Sequence, residues 1–229
     1  MTSIKVRSLA IKSPNDKFSF LEIERRKLCN NDILIDIHYC GVCHTDIHFV
    51  KNDLGKTIYP LVPGHEIIGR VKDVGLKVKK FKRNDLVGVG CMVDSCNECL
   101  SCKNNEEQFC ENGMTMTYNS PDNFLGGMTF GGYSKQIVVK QNFVLKVSEN
   151  LDAKSVAPLL CAGITTFSPL KKYKIKKGDK VGIIGLGGLG HMGVKFASAL
   201  KAHTTMITSS EKKAKDAKKL GANEVIIST

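Results

Sequence analysis

The chain has 229 residues, 42% of them apolar and 24% charged, which is the composition of a soluble globular protein with room for one large or two ordinary cores. A formal charge of +12 raises nucleic acid or an anionic surface as partners. The lysines, however, fall in separate clusters at 77–83, 171–177 and 212–219, with almost no aromatic interleaving and no nucleic-acid-binding module, which is the pattern of solvated faces. Residues 1–13 hold no sustained apolar core and no later run is long enough to cross a bilayer, so the expectation is a cytoplasmic protein with neither membrane nor nucleic acid as partner. Nine cysteines in such a chain point to metal ligands rather than disulfides.

In chain order, the first 147 residues read as short strands separated by turns. Ile33, Ile35, Ile37 and Tyr39 alternate with Leu34, Asp36 and His38, one row on each face of a strand. Comparable runs occupy 67–74, 86–89, 133–139 and 143–147. Cys43 and Ile47 have the spacing of one helical turn, which would project Cys43, Thr45, Asp46 and His48 from a short segment. After a transition through 153–166 the pattern changes. An apolar run at 180–184 leads into Gly185-Leu186-Gly187-Gly188-Leu189-Gly190, after which Leu189, Met192, Phe196 and Leu200 recur at helical spacing. A strand at 203–208, a Lys-rich helix at 211–220 and a strand at 224–227 complete a β-α-β-α-β unit. The expected fold class is therefore α/β plus β, with domains at 1–150 and 151–229.

Two constellations carry chemistry. Cys96, Cys99, Cys102 and Cys110, in a lobe at about 91–113, can close a four-thiolate tetrahedral site with no open position, as a structural zinc requires. An iron-sulfur cluster is the rival, because ferredoxins use two successive two-residue gaps. Their last cysteine, however, follows after three residues and precedes proline, whereas here it follows after seven and precedes Glu111. The second constellation is the glycine turn. Between a strand and a helix, Gly185, Gly187, Gly188, Leu189 and Gly190 would bring backbone amides to a dinucleotide pyrophosphate. An NAD site wants an acidic residue at the end of the second strand. Thr208, Ser209 and Ser210 stand there instead, with Glu211 and then Lys213 close by, so NADP(H) is favoured. His65 beside Glu66 is a weaker sign, since a lone histidine next to a carboxylate is more often a hydrogen-bonded strand residue.

With these pieces placed, the chain resembles the zinc-dependent medium-chain alcohol dehydrogenases, and within them the cinnamyl-alcohol-dehydrogenase-like branch. The likeness lies in Gly41-Val42-Cys43-His44-Thr45-Asp46-Ile47-His48, Pro63-Gly64-His65-Glu66-Ile67-Ile68-Gly69, the four-cysteine lobe, Gly131-Gly132-Tyr133-Ser134 and Cys161-Ala162-Gly163-Ile164-Thr165. The resemblance implies a GroES-like β catalytic domain followed by the first half of a Rossmann domain, with two zinc ions per chain. By the same resemblance Cys43, His65 and Cys161 hold the catalytic zinc; Cys₂His is the set known for alcohol dehydrogenases and is carried over, not read from spacing. Glu66 is an alternative ligand, and both His65 and Glu66 reach one metal only if Pro63-Gly64 distorts the strand. Asp46 would orient His65, and Thr45 and His48 would form a proton relay. The implied activity is hydride transfer between NADP(H) and a small primary alcohol or aldehyde, by a protein that is a homodimer at the family's full length. Family members continue beyond the region matched here, so a C-terminally truncated, catalytically impaired chain is the expectation. A zinc-binding fragment without activity is the alternative, and a basic zinc-containing nucleic-acid binder a more distant one.

Overall fold

The computed structural model describes residues 3–228, so the outermost positions of the expected domains, 1–2 and 229, lie outside the described residues. The chain divides into two compact units between Leu160 and Cys161.

The first unit begins with an antiparallel hairpin, β1 (Ile4–Ala10) and β2 (Ser19–Arg25), whose inward residues Val6, Ala10 and Ile23 pack with Val62. β3 (Asp32–Cys40) follows, then the helix α1 (His44–Lys51), β4 (Ile67–Val74) and β5 (Leu86–Val89). The cysteine lobe comes next: β6 (Met92–Asp94), one helical turn α2 (Leu100–Lys103) and β7 (Thr115–Met116). β8 (Gln136–Lys140), β9 (Leu145–Lys146) and α3 (Ala153–Val156) complete the unit. β8, β3, β4, β5 and β9 form one five-stranded antiparallel sheet in that order. The alternation expected in β3 holds only in part: Ile33 and Ile35 are fully buried and pack with Ile67, Val71, Val87, Val89, Ile137 and Val139, but Leu34 of the other row is buried as well and Tyr39 is exposed beyond a register shift after Ile37. Two expected strands are shorter than their apolar runs. Residues 133–135 hydrogen-bond to the β1 hairpin through Tyr133 O and Lys135 N rather than extending β8, and Gln141–Phe143 is a 3-10 turn ahead of β9.

The expected boundary at residue 150 is corrected to 160. Val156, Ala157 and Leu160 pack on Ile68 and Leu86, so this stretch covers the sheet's second face and belongs to the first unit.

The second unit opens with α4 (Ala162–Lys172), a helix that the sequence reading passed over as a transition. β10 (Lys180–Ile184), α5 (Gly188–Ala199), β11 (His203–Thr208), α6 (Glu211–Lys219) and β12 (Glu224–Ile227) follow. β10, β11 and β12 are parallel and adjacent in that order. The buried face of α5 is centred on Met192, Val194 and Ala197, and Val194 packs with Met206, Ala217 and Ala222. Of the residues expected on that face, Phe196 instead lies against Phe167 of α4, ring centroids 5.3 Å apart, and Leu189 is exposed. This is half of a doubly wound sheet.

Candidate active site and metal centres

α1 and the strap before β4 build the first site. Cys43 is the N-cap of α1, in extended conformation, and its amide donates to Asp46 Oδ2 at 2.9 Å. Asp46 Oδ1 accepts from Gly64 N at 3.0 Å and from His65 Nδ1 at 3.2 Å. A helix start and a distant strap are thus held on one carboxylate. Burial pushes Asp46 up, but His65 and the Cys43 amide together outweigh it and hold the carboxyl below its ordinary value. With Nδ1–H given to Asp46, His65 Nε2 is left as the ligating nitrogen.

Gly64 has φ of +103°, a conformation that side-chain-bearing residues rarely adopt, and β4 begins only at Ile67. The strand alternation that would send His65 and Glu66 to opposite faces therefore does not apply to them. The ligand atoms of Cys43, His65 and Glu66 lie within 4.8 Å of one another. Burial pushes the Glu66 carboxyl above its ordinary value, which His65 opposes and Asp46 reinforces. A thiol, a carboxyl group and an imidazole at such distances, the last two buried, form a donor set that a soft-to-borderline divalent cation fits. Cys161, the remaining expected ligand, stands at the N-cap of α4 as the first residue of the second unit.

Thr45 Oγ1 lies 3.6 Å from Cys43 Sγ. One turn on, His48 Nδ1 lies 2.8 Å from Asp53 Oδ2, with the His44 ring 4.8 Å from its own. Asp53 was missed by sequence reasoning. Its signal is its place just past Asn52, the left-handed residue that ends α1, which turns the chain back toward His48.

In the lobe the four sulfurs of Cys96, Cys99, Cys102 and Cys110 also lie within 4.8 Å of one another. The Cys99 amide donates to Cys96 Sγ at 3.4 Å, and the Cys96 amide to Cys110 Sγ at 3.5 Å. Backbone amides of Glu98 and Cys99 bring the Cys96 thiol down to about 6. Ser95's hydroxyl favours the Cys102 thiolate, but burial and the neighbouring Cys99 and Cys110 thiols push it up to about 11. Thiolates this close repel one another, so a bound cation is what lets all four ionise together. None of the nine cysteines is in a disulfide.

In the second unit the Gly185–Gly190 turn joins β10 to the start of α5. A Cβ at Gly190 would collide with the Gly185 carbonyl, so the turn closes only with glycine there. No atom stands within 4 Å of a Cβ built at Gly187 or Gly188, the N-cap and first residue of α5, where the first amides of a helix have no partner within it. At the end of β11, Thr208 is buried and its hydroxyl accepts from Ser210 N at 3.3 Å. Ser210 Oγ caps α6 by accepting from Lys213 N at 3.4 Å, while Ser209 and the Lys213 side chain are exposed.

Residues 29–149 match the alcohol dehydrogenase GroES-like domain. The chain belongs to the zinc-type medium-chain alcohol dehydrogenase family. It is 50% identical over 226 residues to the aldehyde reductase YahK of Escherichia coli K12, covering 97% of this chain and 64% of that protein. It is 51% identical over 211 residues to the mannitol dehydrogenase of Petroselinum crispum, covering 91% and 62%. Among solved structures it is similar to a cinnamyl alcohol dehydrogenase from Sorghum bicolor, with TM-score 0.94, 42% identity and coverage of 98% and 64%. The cinnamyl alcohol dehydrogenase of Helicobacter pylori, solved with NADP(H), gives TM-score 0.92 at 45% identity, with coverage of 98% and 65%. The chain spans a little under two thirds of the length of these relatives. No described helix is long and apolar enough to cross a membrane.

Proposed function

We propose that this chain carries the zinc-binding and cofactor-binding machinery of an NADP(H)-dependent oxidoreductase acting between primary alcohols and aldehydes. The observation that carries the reading is the cluster of half-buried Cys43 with buried His65 and Glu66, in which Asp46 orients His65. Cys43, His65 and Cys161 would hold one zinc, with Glu66 as alternative ligand, and Cys96, Cys99, Cys102 and Cys110 a second. A zinc ion with an open position, when bound there, supplies Lewis-acid polarisation of the substrate oxygen.

The chain's own residues do the rest. Thr45 accepts the alcohol proton on its hydroxyl as it gives up its own toward His48, which is held by Asp53 at 2.8 Å and releases a proton to solvent. The α5 amides at Gly187–Gly190 bind pyrophosphate, and Ser209, Ser210 and Lys213 meet the 2′-phosphate of NADP(H). Thr208 acts from behind, holding the Ser210 amide.

The test is NADPH oxidation with an aromatic aldehyde by zinc-loaded protein, beside the His48→Ala variant, with calorimetry of NADP⁺ against NAD⁺. Expected are tighter binding of NADP⁺, weakened by salt, and a turnover that is low, as an impaired chain implies, and falls further on the order of a hundredfold in the variant. Equal binding of the two dinucleotides would overturn the cofactor assignment. Zinc retained without any turnover would leave the inactive zinc-binding module, and salt-sensitive retention on DNA the nucleic-acid reading.

A further inference from the structure

Tyr118 has no part in the chemistry above, yet it lies at the centre of the first site. It is 2% exposed, in a cluster with Ile11, Phe49 and Leu61. Its ring meets Phe49 edge-on at 5.2 Å and leans over His65 at 5.7 Å with an interplanar angle of 41°. Among the described residues its Oη is the one buried side-chain polar atom without a hydrogen-bond partner. A phenol this deep in the core is cut off from bulk solvent, and native structures rarely leave such a donor unused.

The acceptor for it is at hand. An ionised carboxylate offers about four acceptor positions. Asp46 uses three, for Cys43 N, Gly64 N and His65 Nδ1. Burial and then the charge of Asp46 are the strongest influences on the Tyr118 phenol, ahead of Cys43 and Tyr133. Asp46 Oδ2 accepts only from the Cys43 amide and so keeps an acceptor position to spare.

We propose that Tyr118 is a positioning residue for His65: its hydroxyl donates to the Asp46 carboxylate, and its ring backs the imidazole that the carboxylate orients. This rests on the metal reading of Cys43, His65 and Cys161. The hydroxyl supplies the last donor to Asp46 and the ring limits the tilt of His65, so both determinants of the imidazole's direction pass through one side chain. Groups that hold a ligating histidine commonly set metal affinity by about 10- to 100-fold.

The test uses the intact chain, with zinc affinity measured by chelator competition that resolves the two equivalents, and with thermal melting recorded beside it. Tyr118→Phe keeps the ring and removes only the hydroxyl. The expected result is a His65-dependent zinc equivalent held about 10-fold more weakly, an unchanged lobe equivalent and an unchanged melting transition. In an Asp46→Asn background the same substitution should have little further effect, because the two act through one contact. Wild-type affinity in Tyr118→Phe, a full additional loss in the Asp46→Asn background, or weakening of both equivalents together with the melt would each overturn the proposal. His65→Ala serves as the reference: if that variant retains both equivalents, the metal reading itself is wrong, whereas loss of one equivalent there with no change in Tyr118→Phe sinks only the role of Tyr118.

Discussion

The two metal-ligating clusters are built in opposite ways. The lobe draws four sulfurs from Cys96 to Cys110, in a segment whose own apolar residues Leu100 and Phe109 are largely exposed. The other takes Cys43 from a helix cap and His65 and Glu66 from a strap flanked by Leu61, Val62, Ile67 and Ile68, all at most 2% exposed. A local cluster without a core depends on its ligand for shape. A cluster assembled by a packed sheet has its shape before any ligand arrives.

The largest effect that would break this contrast is expected in the lobe. Cys99→Ser should remove one zinc equivalent and expose residues 91–113 to proteases, because structural zinc binding in small metal modules is worth about 10–16 kcal/mol and is itself folding energy. Zinc content unchanged in this variant would refute the four-thiolate site. His65→Ala should remove the other equivalent while limited proteolysis of the lobe stays as in the wild type; a cleaved lobe would show the two clusters to be coupled.

Asp46→Asn comes next. It keeps the shape of the side chain but removes the charge, and should weaken the His65-dependent equivalent by about 10- to 100-fold in chelator competition, with no change at the lobe. An equal loss at both sites would erase the distinction between preformed and ligand-formed clusters.

The smallest effect lies away from both clusters. Asp32, 1% exposed, is a second buried carboxylate of the first unit. Burial pushes it up, but Arg26 at 2.9 and 3.1 Å and the Cys29 amide outweigh that and hold it below the ordinary value. A depressed folded value means stability that is fully present above about pH 4 and is lost as the pH falls through the lower folded value. Asp32→Asn should cost about 2 kcal/mol at neutral pH and flatten the acid limb of the stability curve measured by urea denaturation. An unchanged acid limb would remove Asp32 from the account.

The same contrast governs what could be read from the sequence. The lobe was legible because its ligands are close in sequence, and the glycine turn because strand, glycines and helix follow one another. The strand around Ile33 was legible from apolar alternation, and those around Ile67 and Val87 from short apolar runs. Asp53 and Tyr118 were not, because one depends on the left-handed turn at Asn52 and the other reaches Asp46 only through packing across more than seventy positions. α4 was passed over because its start falls in the 153–166 transition, and it carries Pro169, a residue disfavoured in helix interiors, within it. The end of the first unit was misplaced by ten residues because what decides it is packing of Leu160 on the sheet, not a change in composition.

Arg25 ties the strap of His65 to the hairpin of β1 and β2. Its guanidinium is buried at the end of β2 and donates to the carbonyls of Phe130, Gly131 and Gln136 and to Ser134 Oγ. Burial lowers it to about 9, yet it stays charged at neutral pH. The segment it grips is in turn bonded to the strap, Gly131 N to Val62 O, Gly132 N to Gly64 O and Tyr133 N to Pro63 O. The hairpin, the 130–134 segment and the strap are thus joined through one guanidinium, and their slow amides are expected to exchange with deuterium at a common rate.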